Sequence, residues 1–238
     1  MKKSSIEQDI LYLDNHLLIL NKHASDIVQG DKTGDEPLSE AVKQFLKVKF
    51  DKPGAVFLGV VHRLDRPVSG AVLFARTSKA LTRLNTMLRD GEIQKTYWAI
   101  VKHLPPRPAD HLTSYLVRRE EQNKSYIHNR EVPGSQRAEL AYQLLDSGDR
   151  YHLLEIELFT GRHHQIRAQL ASIGCPVKGD LKYGAERSNP GGFIHLHARQ
   201  IRFIHPVRKE VVSITAPVPD DPLWNFFQSR HTSQNPQE

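Results

Sequence analysis

Apolar and polar positions along the chain predict several short strands. Two apolar tetrapeptides, residues 10–13 and 17–20, flank a polar tripeptide and predict a β-hairpin. The apolar runs 56–61 and 71–75 are rich in Val, Leu and Phe and are bounded by glycine. Short apolar runs with these residue types are typical of buried strands. The segment between them therefore begins and ends at the edge of a sheet.

Apolar residues also recur at helical spacing, with residues before them that can cap a helix. Asp35 is placed as the N-cap of a helix that begins near Leu38. Ser78 is placed to cap a second amphipathic helix that stops at Gly91, and Thr160 to cap a third. We therefore expect helices interspersed among the strands.

The remaining pattern completes the prediction of fold class. Further strands are predicted at residues 95–101, 112–117, 138–146, 151–158 and 211–215, the third and fourth forming a hairpin. We predict a single α+β domain over residues 9–229, with a bent, mainly antiparallel mixed sheet flanked by helices. The polar segments 1–8 and 230–238 are expected to be disordered tails.

The mixed-charge segment 118–137 is the least readable part of the chain. It carries Lys124, His128, Arg130 and Arg137, which could contact RNA phosphates. Charge-rich segments usually face water, so a solvated loop is the favoured interpretation.

Composition narrows the classes of partner and location. The chain has 33 Lys and Arg against 27 Asp and Glu, so a polyanion such as nucleic acid or a membrane surface is a plausible partner. No apolar run approaches the roughly 20 residues of a membrane span, and the N-terminus lacks the apolar core of a signal peptide. Cys175 is the only cysteine, which excludes an internal disulfide. We expect a cytoplasmic protein.

The loop His62–Gly70, between the two buried runs, carries the first candidate chemistry. Pro67 and Gly70 favour a turn, and Asp65 lies between Arg63 and Arg66. Nearby guanidinium groups keep a carboxylate ionised, and an ionised Asp on a rigid loop is a usable nucleophile. For an arbitrary Arg-x-Asp sequence, a surface ion pair that closes a loop is the commoner explanation.

A resemblance to a known family favours the catalytic interpretation. The His-Arg-Leu-Asp sequence of this loop, followed by Ser-Gly and an apolar strand, closely resembles the active-site motif of the type-A family of ribosomal pseudouridine synthases. The resemblance covers about residues 9–218. It continues in the Lys-x-Tyr strand, in the motif Thr160–Arg167, in the Gly-Asp and Tyr-Gly run after it, and in a Leu-His-Ala strand.

The resemblance assigns roles to individual residues. It implies that Asp65 is the catalytic nucleophile, that Arg63 takes the place of a uridine flipped out of the RNA, and that Tyr97 lies against the target base. Arg167 is implied to pair with Asp65, and Leu196 to pack near the flipped base. Arg66 and Arg162 are expected to contact RNA.

The resemblance also implies the pseudouridine synthase catalytic fold and isomerisation of uridine in rRNA or tRNA, without a cofactor or metal. We expect a monomer, in the form of the family that lacks an N-terminal RNA-binding domain. The chain departs from the family pattern at His23, where proline is usual, and at Gln169, where histidine is common. These departures put the local turn in doubt but not the catalytic residues.

Three other functions are weighed against this one. A metal site would need His163 and His164, which diverge by about 100° if helical, or His195 and His197, which lack a nearby carboxylate in the sequence. A glycosidase would need two carboxyl groups, whereas the residues matched around Asp65 are cationic or phenolic. A non-catalytic RNA-binding or RNA-chaperone protein would be expected to lose Asp65 or Arg167, and both are present.

Overall fold

The computed structural model describes residues 6–30 and 34–232. The chain forms two compact units, each assembled from two segments. The first unit contains residues 1–94 and 200–217, and the second contains residues 95–199 and 218–238, as far as they are described.

Eleven strands and four α-helices are found in the described residues. The strands are β1 (Ile10–Leu13), β2 (Leu17–Lys22), β3 (Gly59–Val60), β4 (Ser69–Ala75), β5 (Gln94–Val101), β6 (Ala109–Arg119), β7 (Lys124–His128), β8 (Gln136–Ser147), β9 (His152–Leu158), β10 (Leu196–Ile204) and β11 (Val211–Thr215). The helices are α1 (Leu38–Lys49), α2 (Ser78–Arg89), α3 (Gln165–Ser172) and α4 (Pro222–Thr232).

The first unit has its strands in the order β1-β2-β4-β10, with β3 paired to β4 and β11 paired to β10. The pairings β1–β2, β2–β4, β3–β4 and β10–β11 are antiparallel. Every residue of β4 is buried, because both of its faces are covered. Its core includes Leu17, Ile19, Leu73, Leu84 and Phe203.

The second unit is an antiparallel series in the order β5-β9-β8-β6-β7. One core cluster packs Trp98, Ile100 and Leu153 against the α4 residues Trp224 and Phe227. A second cluster joins Leu116 and Ala138 on the strands to Ala168 of α3 and to Tyr183. Helix α3 is therefore held on the β6–β8 part of the sheet.

The predicted class, α+β with a mainly antiparallel sheet, is confirmed. So are the hairpin of residues 10–20 and the hairpin formed by β8 and β9. The predicted strand 56–61 is wrong over most of its length, because only Gly59 and Val60 pair with β4. The segment 118–137 is not the solvated loop expected, since it contains β7 and the ends of β6 and β8.

Two predicted helix caps are wrong. The N-cap of α1 is Pro37, without a side-chain cap, and Asp35 forms an ion pair with Arg66 instead. The N-cap of α2 is Thr77, whose Oγ1 accepts a hydrogen bond from the Ala80 N–H at 3.1 Å. A hydroxyl one residue earlier closes the same turn, so the helix itself is as predicted.

The predicted domain boundaries differ from the structure in two respects. One catalytic domain was expected over residues 9–229, whereas the chain forms two compact units. Residues 6–8 of the expected N-terminal tail lie in a 3₁₀ helix, and residues 230–232 of the expected C-terminal tail lie in α4. The rest of both tails, residues 1–5 and 233–238, lies outside the described residues. Within the described part of the chain, no helix is both long and apolar enough to span a membrane.

Candidate active site

The loop that joins β3 to β4 carries the first set of candidate residues, and backbone hydrogen bonds define its shape. The Val68 N–H donates to the Asp65 carbonyl at 3.0 Å, which closes a four-residue turn. The Ser25 N–H donates to the Arg66 carbonyl at 2.9 Å, which joins this turn to the chain after β2. Asp65 therefore lies at the start of a turn that is held from both sides.

A buried lysine anchors the same loop. Lys22 is 1 % exposed, and its Nζ donates to the carbonyls of His23 at 2.9 Å, Arg66 at 3.2 Å and Val68 at 2.6 Å. Burial lowers the pKa of Lys22 to about 8, against an opposing effect of the negative charges of Asp26 and Asp65. The ammonium thus satisfies three carbonyls of the loop region and attracts the Asp65 carboxylate. Sequence analysis did not identify Lys22, since a lysine at a strand end carries no signal of burial.

The three charged residues predicted for this loop have different surroundings. Asp65 is partly buried, whereas Arg63 is exposed to solvent. The Arg66 guanidinium forms an ion pair with Asp35 at 2.6 Å, and both side chains are largely exposed. Arg63 is therefore accessible to a ligand.

In the second unit, Tyr97 and Leu196 lie on strands and are buried. Tyr97 is 6 % exposed on β5, where its register partner on β9 is Ile156. Leu196 is 4 % exposed and begins β10. An apolar side chain and a phenol in such positions can contact the faces of a planar base.

The motif Thr160–Arg167 forms a hydrogen-bonded turn before helix α3. Thr160 Oγ1 donates to Gln165 Oε1 at 2.8 Å, and the same oxygen accepts from the Arg162 N–H at 3.0 Å. The helix begins only at Gln165, and its N-cap is His164 with φ 55°. The prediction that Thr160 caps this helix is therefore wrong, because Thr160 fastens the turn instead.

His163 and His164 precede the helix, so the helical divergence assumed for them does not apply. Their rings stack with centroids 3.8 Å apart. His163 Nδ1 lies 2.9 Å from Ser125 Oγ, and His164 Nδ1 lies 3.0 Å from the Tyr183 hydroxyl. No group of three or more His, Cys, Asp or Glu side chains within residues 6–30 and 34–232 is placed to hold a metal ion.

Arg167 forms a buried, bidentate ion pair with Asp180. Its Nε and Nη2 donate to the two carboxylate oxygens at 2.6 and 2.9 Å, and both side chains are almost completely buried. The guanidinium also lies over the Tyr183 ring, 5.1 Å from its centroid. Such pairing fixes both the position and the orientation of the guanidinium plane. Sequence analysis assigned the Gly-Asp run to structural roles and did not identify Asp180 as this partner; the pairing of Arg167 with Asp65 stays a prediction.

Arg162, in contrast, is exposed at the surface of the second unit. Its Nε donates to the Arg137 carbonyl at 3.0 Å, which fixes part of the side chain and leaves the rest of the guanidinium accessible. The loop thus presents Arg63 and Asp65 in the first unit, and the second unit holds Tyr97, Arg162, Arg167 and Leu196.

Comparisons with known proteins agree with this set of residues. The family model described as RNA pseudouridylate synthase matches residues 16–172, which include the Asp65 loop and the Arg167 motif. The chain is 33 % identical over 219 residues to an uncharacterized RNA pseudouridine synthase of Bacillus subtilis, covering 90 % of this chain and 70 % of that one. It is 30 % identical over 239 residues to a ribosomal large subunit pseudouridine synthase C of Vibrio vulnificus, covering 98 % and 72 %.

Solved structures agree at the level of the fold. The human RNA pseudouridylate synthase domain containing 4 matches with a TM-score of 0.78 at 23 % identity, covering 94 % of each chain. The human RNA pseudouridylate synthase domain containing 1 matches with a TM-score of 0.68 at 21 % identity over the whole of both chains. The chain therefore belongs to the RNA pseudouridylate synthase family, and the protein is an RNA pseudouridine synthase.

Proposed function

We propose that the protein converts a uridine at a specific position of structured RNA into pseudouridine, with Asp65 as the indispensable group. The reaction breaks the bond between N1 of uracil and C1′ of the ribose, turns the base over and forms a bond from C5 to C1′. The proton on C5 is then lost, and N1 gains one. The observation that carries the proposal is a partly buried carboxylate on a loop anchored by the buried Lys22 ammonium.

The anchoring supports a catalytic role because a nucleophile or base must be held in one position. Lys22 Nζ hydrogen-bonds two carbonyls inside the loop, those of Arg66 and Val68, on the C-terminal side of Asp65. Its positive charge also favours the ionised form of that carboxylate. A carboxylate held in this way can attack the ribose or abstract its 2′ proton.

The other site residues receive roles toward the base and the backbone. We assign the exposed Arg63 to the space that the flipped uridine leaves, and the buried Tyr97 and Leu196 to contacts with the flipped base. Extruding a base costs a few kcal/mol, which a guanidinium stacked in the gap partly offsets. Arg167 is assigned to hold Asp65 oriented, and Arg66 and Arg162 to contact RNA.

The class of RNA follows the relatives, since the Vibrio vulnificus protein is named as an enzyme of the large ribosomal subunit. We propose large-subunit rRNA as the first substrate to test and tRNA as the second. A cytoplasmic location suits either RNA.

The test uses Asp65→Asn, which keeps the side-chain shape and removes the charge. Unmodified transcripts of large-subunit rRNA and of tRNA are incubated with each protein, and pseudouridine is mapped chemically. We expect wild type to form pseudouridine at one or a few positions and Asp65→Asn to bind RNA without forming product. Turnover by the Asn variant, with deamidation excluded by mass spectrometry, would show that Asp65 is dispensable.

The same assay examines Arg63→Ala on two oligonucleotides, with the target uridine stacked in one and unstacked in the other. A larger loss on the stacked substrate is expected if Arg63 fills the vacated space. Equal losses on both would mean that Arg63 acts only as a charge near Asp65.

A further inference from the structure

The hairpin formed by β6 and β7 places two cations directly opposite each other. Its register pairs Arg119 with Lys124, on either side of the turn 120–123. Like charges that face each other across neighbouring strands destabilise the pairing. The hairpin therefore carries an electrostatic cost that a bound anion would remove.

Neither cation is neutralised by an acid within the described residues. The Arg119 guanidinium lies 5.5 Å from the centroid of the Tyr126 ring, and Lys124 Nζ lies 5.4 Å from the same centroid. Lys124 Nζ is also 5.1 Å from the Tyr183 ring. Two acids occupy the turn, but the ion contact of Glu120 is with Arg118, at 3.9 Å.

An edge strand offers a simpler explanation for one of these cations. β7 ends the strand order of its unit, and a lysine on such a strand discourages pairing with another chain. That explanation accounts for Lys124 alone. It does not account for Arg119 opposite it, or for an aromatic ring, 36 % exposed, between the two charges.

The turn of this hairpin is held firmly against neighbouring parts of the second unit. Lys182 Nζ donates to the Gln122 and Asn123 carbonyls at 3.2 and 3.0 Å. Asn123 Oδ1 lies 3.1 Å from His163 Nε2. Because His163 follows Arg162 in the motif before α3, the hairpin is fastened to the segment that carries a proposed RNA contact.

The strand beside the turn is fastened to the same region. Ser125 Oγ donates to the His163 carbonyl at 2.7 Å, and the Ser125 N–H donates to the Tyr183 hydroxyl at 2.8 Å. A surface held by this many hydrogen bonds does not have to order itself when a ligand binds.

We propose that Arg119, Lys124 and Tyr126 form a second RNA-binding subsite, which takes a phosphate between the two cations and stacks an adjacent unpaired base on the tyrosine. The proposal rests on the proposed function only in that RNA is the substrate. Cations flanking an exposed aromatic ring suit a single-stranded segment, since the phosphate meets the charges and every base has a face to stack.

The experiment measures binding in the full-length Asp65→Asn protein, so that turnover does not interfere. The probes are a labelled 12-nucleotide oligouridine and an unmodified transcript of large-subunit rRNA, titrated over a series of salt concentrations. Arg119→Gln and Lys124→Gln are each expected to reduce the slope of log affinity against log salt by about 0.7 on the oligouridine, and by about twice that together. Tyr126→Leu is expected to weaken binding at least severalfold without changing the slope. The matched control is Lys79→Gln, an exposed lysine on α2, which should leave the slope unchanged.

Lys124→Glu provides a second measurement with the opposite sign for stability. It replaces a like-charge pair by an Arg119–Glu pair, so resistance to denaturant should rise while RNA affinity falls. An unchanged salt slope in the double Gln variant, or an absence of RNA binding by the Asp65→Asn protein, overturns the subsite. A fall in affinity for acidic peptides but not for RNA overturns it in favour of a protein partner.

The outcome is separable from that of the proposed function. If wild type forms pseudouridine and the slopes do not change, the subsite is wrong and the function stands. If the slopes change and wild type forms no pseudouridine on either class of RNA, the subsite stands and the function is wrong.

Discussion

A single amine, that of Lys22, connects the end of β2 to the loop that carries Asp65. Burial disfavours its charged form, yet three carbonyl acceptors and two carboxylates oppose that effect. A neutral side chain of similar length could fill the space, but it would leave those carbonyls without a donor, and unsatisfied buried acceptors are costly. The lysine therefore contributes to loop geometry more than to net stability.

The lowered pKa of Lys22 predicts how stability changes at alkaline pH. The folded protein releases this proton at about pH 8, whereas the unfolded chain holds it to about 10.5. Between those values the unfolded state binds more protons, so the free energy of unfolding rises with pH. Relative to Lys22→Met, wild type should gain on the order of 3 kcal/mol across this window, measured by urea denaturation.

A control variant separates this effect from other titrations. Lys79→Met removes an exposed lysine of α2, and its curve should run parallel to that of wild type. Parallel curves for Lys22→Met as well would mean that the Lys22 proton is not held weakly. We also expect Lys22→Met to slow pseudouridine formation at least tenfold, because the Asp65 loop loses its anchor.

At the scale of elements, helix α3 depends on tertiary contacts for its stability. It has eight residues, and isolated helices of that length are unstable in water. Gln169 is buried, and its Nε2 donates to the Leu112 carbonyl at 3.2 Å and to Ser114 Oγ at 3.0 Å. Gln169, which replaces a common histidine of the family, thus joins the helix to β6. The Arg167–Asp180 pair fixes the same helix from another side.

This pair predicts strong coupling between its two members. Asp180→Asn and Arg167→Met each leave the partner buried without its counter-charge, and each should lower the free energy of unfolding by roughly 3–5 kcal/mol. The double variant should be destabilised by much less than the sum. Denaturant unfolding of the four proteins in a double-mutant cycle gives the coupling energy.

The exposed pair Arg107–Asp110, with its charged atoms 3.5 Å apart, is the control for this cycle. Its coupling should lie between 0 and about 1 kcal/mol, because exposed ions are screened by water. Additive effects at Arg167 and Asp180 would mean that the buried pair does not act as a unit.

At the scale of the whole molecule, residues far apart in sequence close the first unit. Asp14, in the turn between β1 and β2, accepts hydrogen bonds from the His16 and Leu17 N–H groups, both at 2.7 Å. Its other carboxylate oxygen lies 2.9 Å from Nε2 of His205, which is fully buried and lies between β10 and β11. Arg208 and Tyr12 also hydrogen-bond this oxygen. The contact joins the two chain segments of the unit, 191 residues apart.

The pKa of Asp14 predicts the acid sensitivity of this closure. Burial raises its pKa, but the backbone hydrogen bonds of His16 and Leu17, together with Arg208 and Tyr12, lower it to about 2. Because this value is below that of an unfolded Asp, the stabilisation is complete above about pH 4 and is lost as pH falls to about 2. Asp14→Asn should be about 2 kcal/mol less stable than wild type at pH 6, and the difference should vanish near pH 2.

Thermal unfolding from pH 2 to pH 6 measures this difference. Asp90→Asn is the matched control, since Asp90 is an exposed acid whose ion pair is with its neighbour Arg89. It should change stability little at any pH. A constant deficit for Asp14→Asn over the whole range would contradict the lowered pKa.

Much of the fold and of the candidate site was determined by local sequence. The hairpins of residues 10–20 and 138–158, and helices α1 and α2, follow from the periodicity of apolar residues, which depends only on neighbours along the chain. The Asp65 loop and the motif that ends at Arg167 are contiguous, so their residue types could be matched directly. Helix ends were less certain, because Thr77 and Ser78 are adjacent and either hydroxyl can cap α2.

Only the tertiary structure decided which groups pair. Lys22 meets carbonyls 44 and 46 residues away, Arg167 meets a carboxylate 13 residues away, and Arg119 faces Lys124 through strand register. Such partners are selected by burial, because a polar group removed from water must find another polar group wherever the fold supplies one. Periodicity carries no record of that choice, so the anchors of the site became visible only in three dimensions.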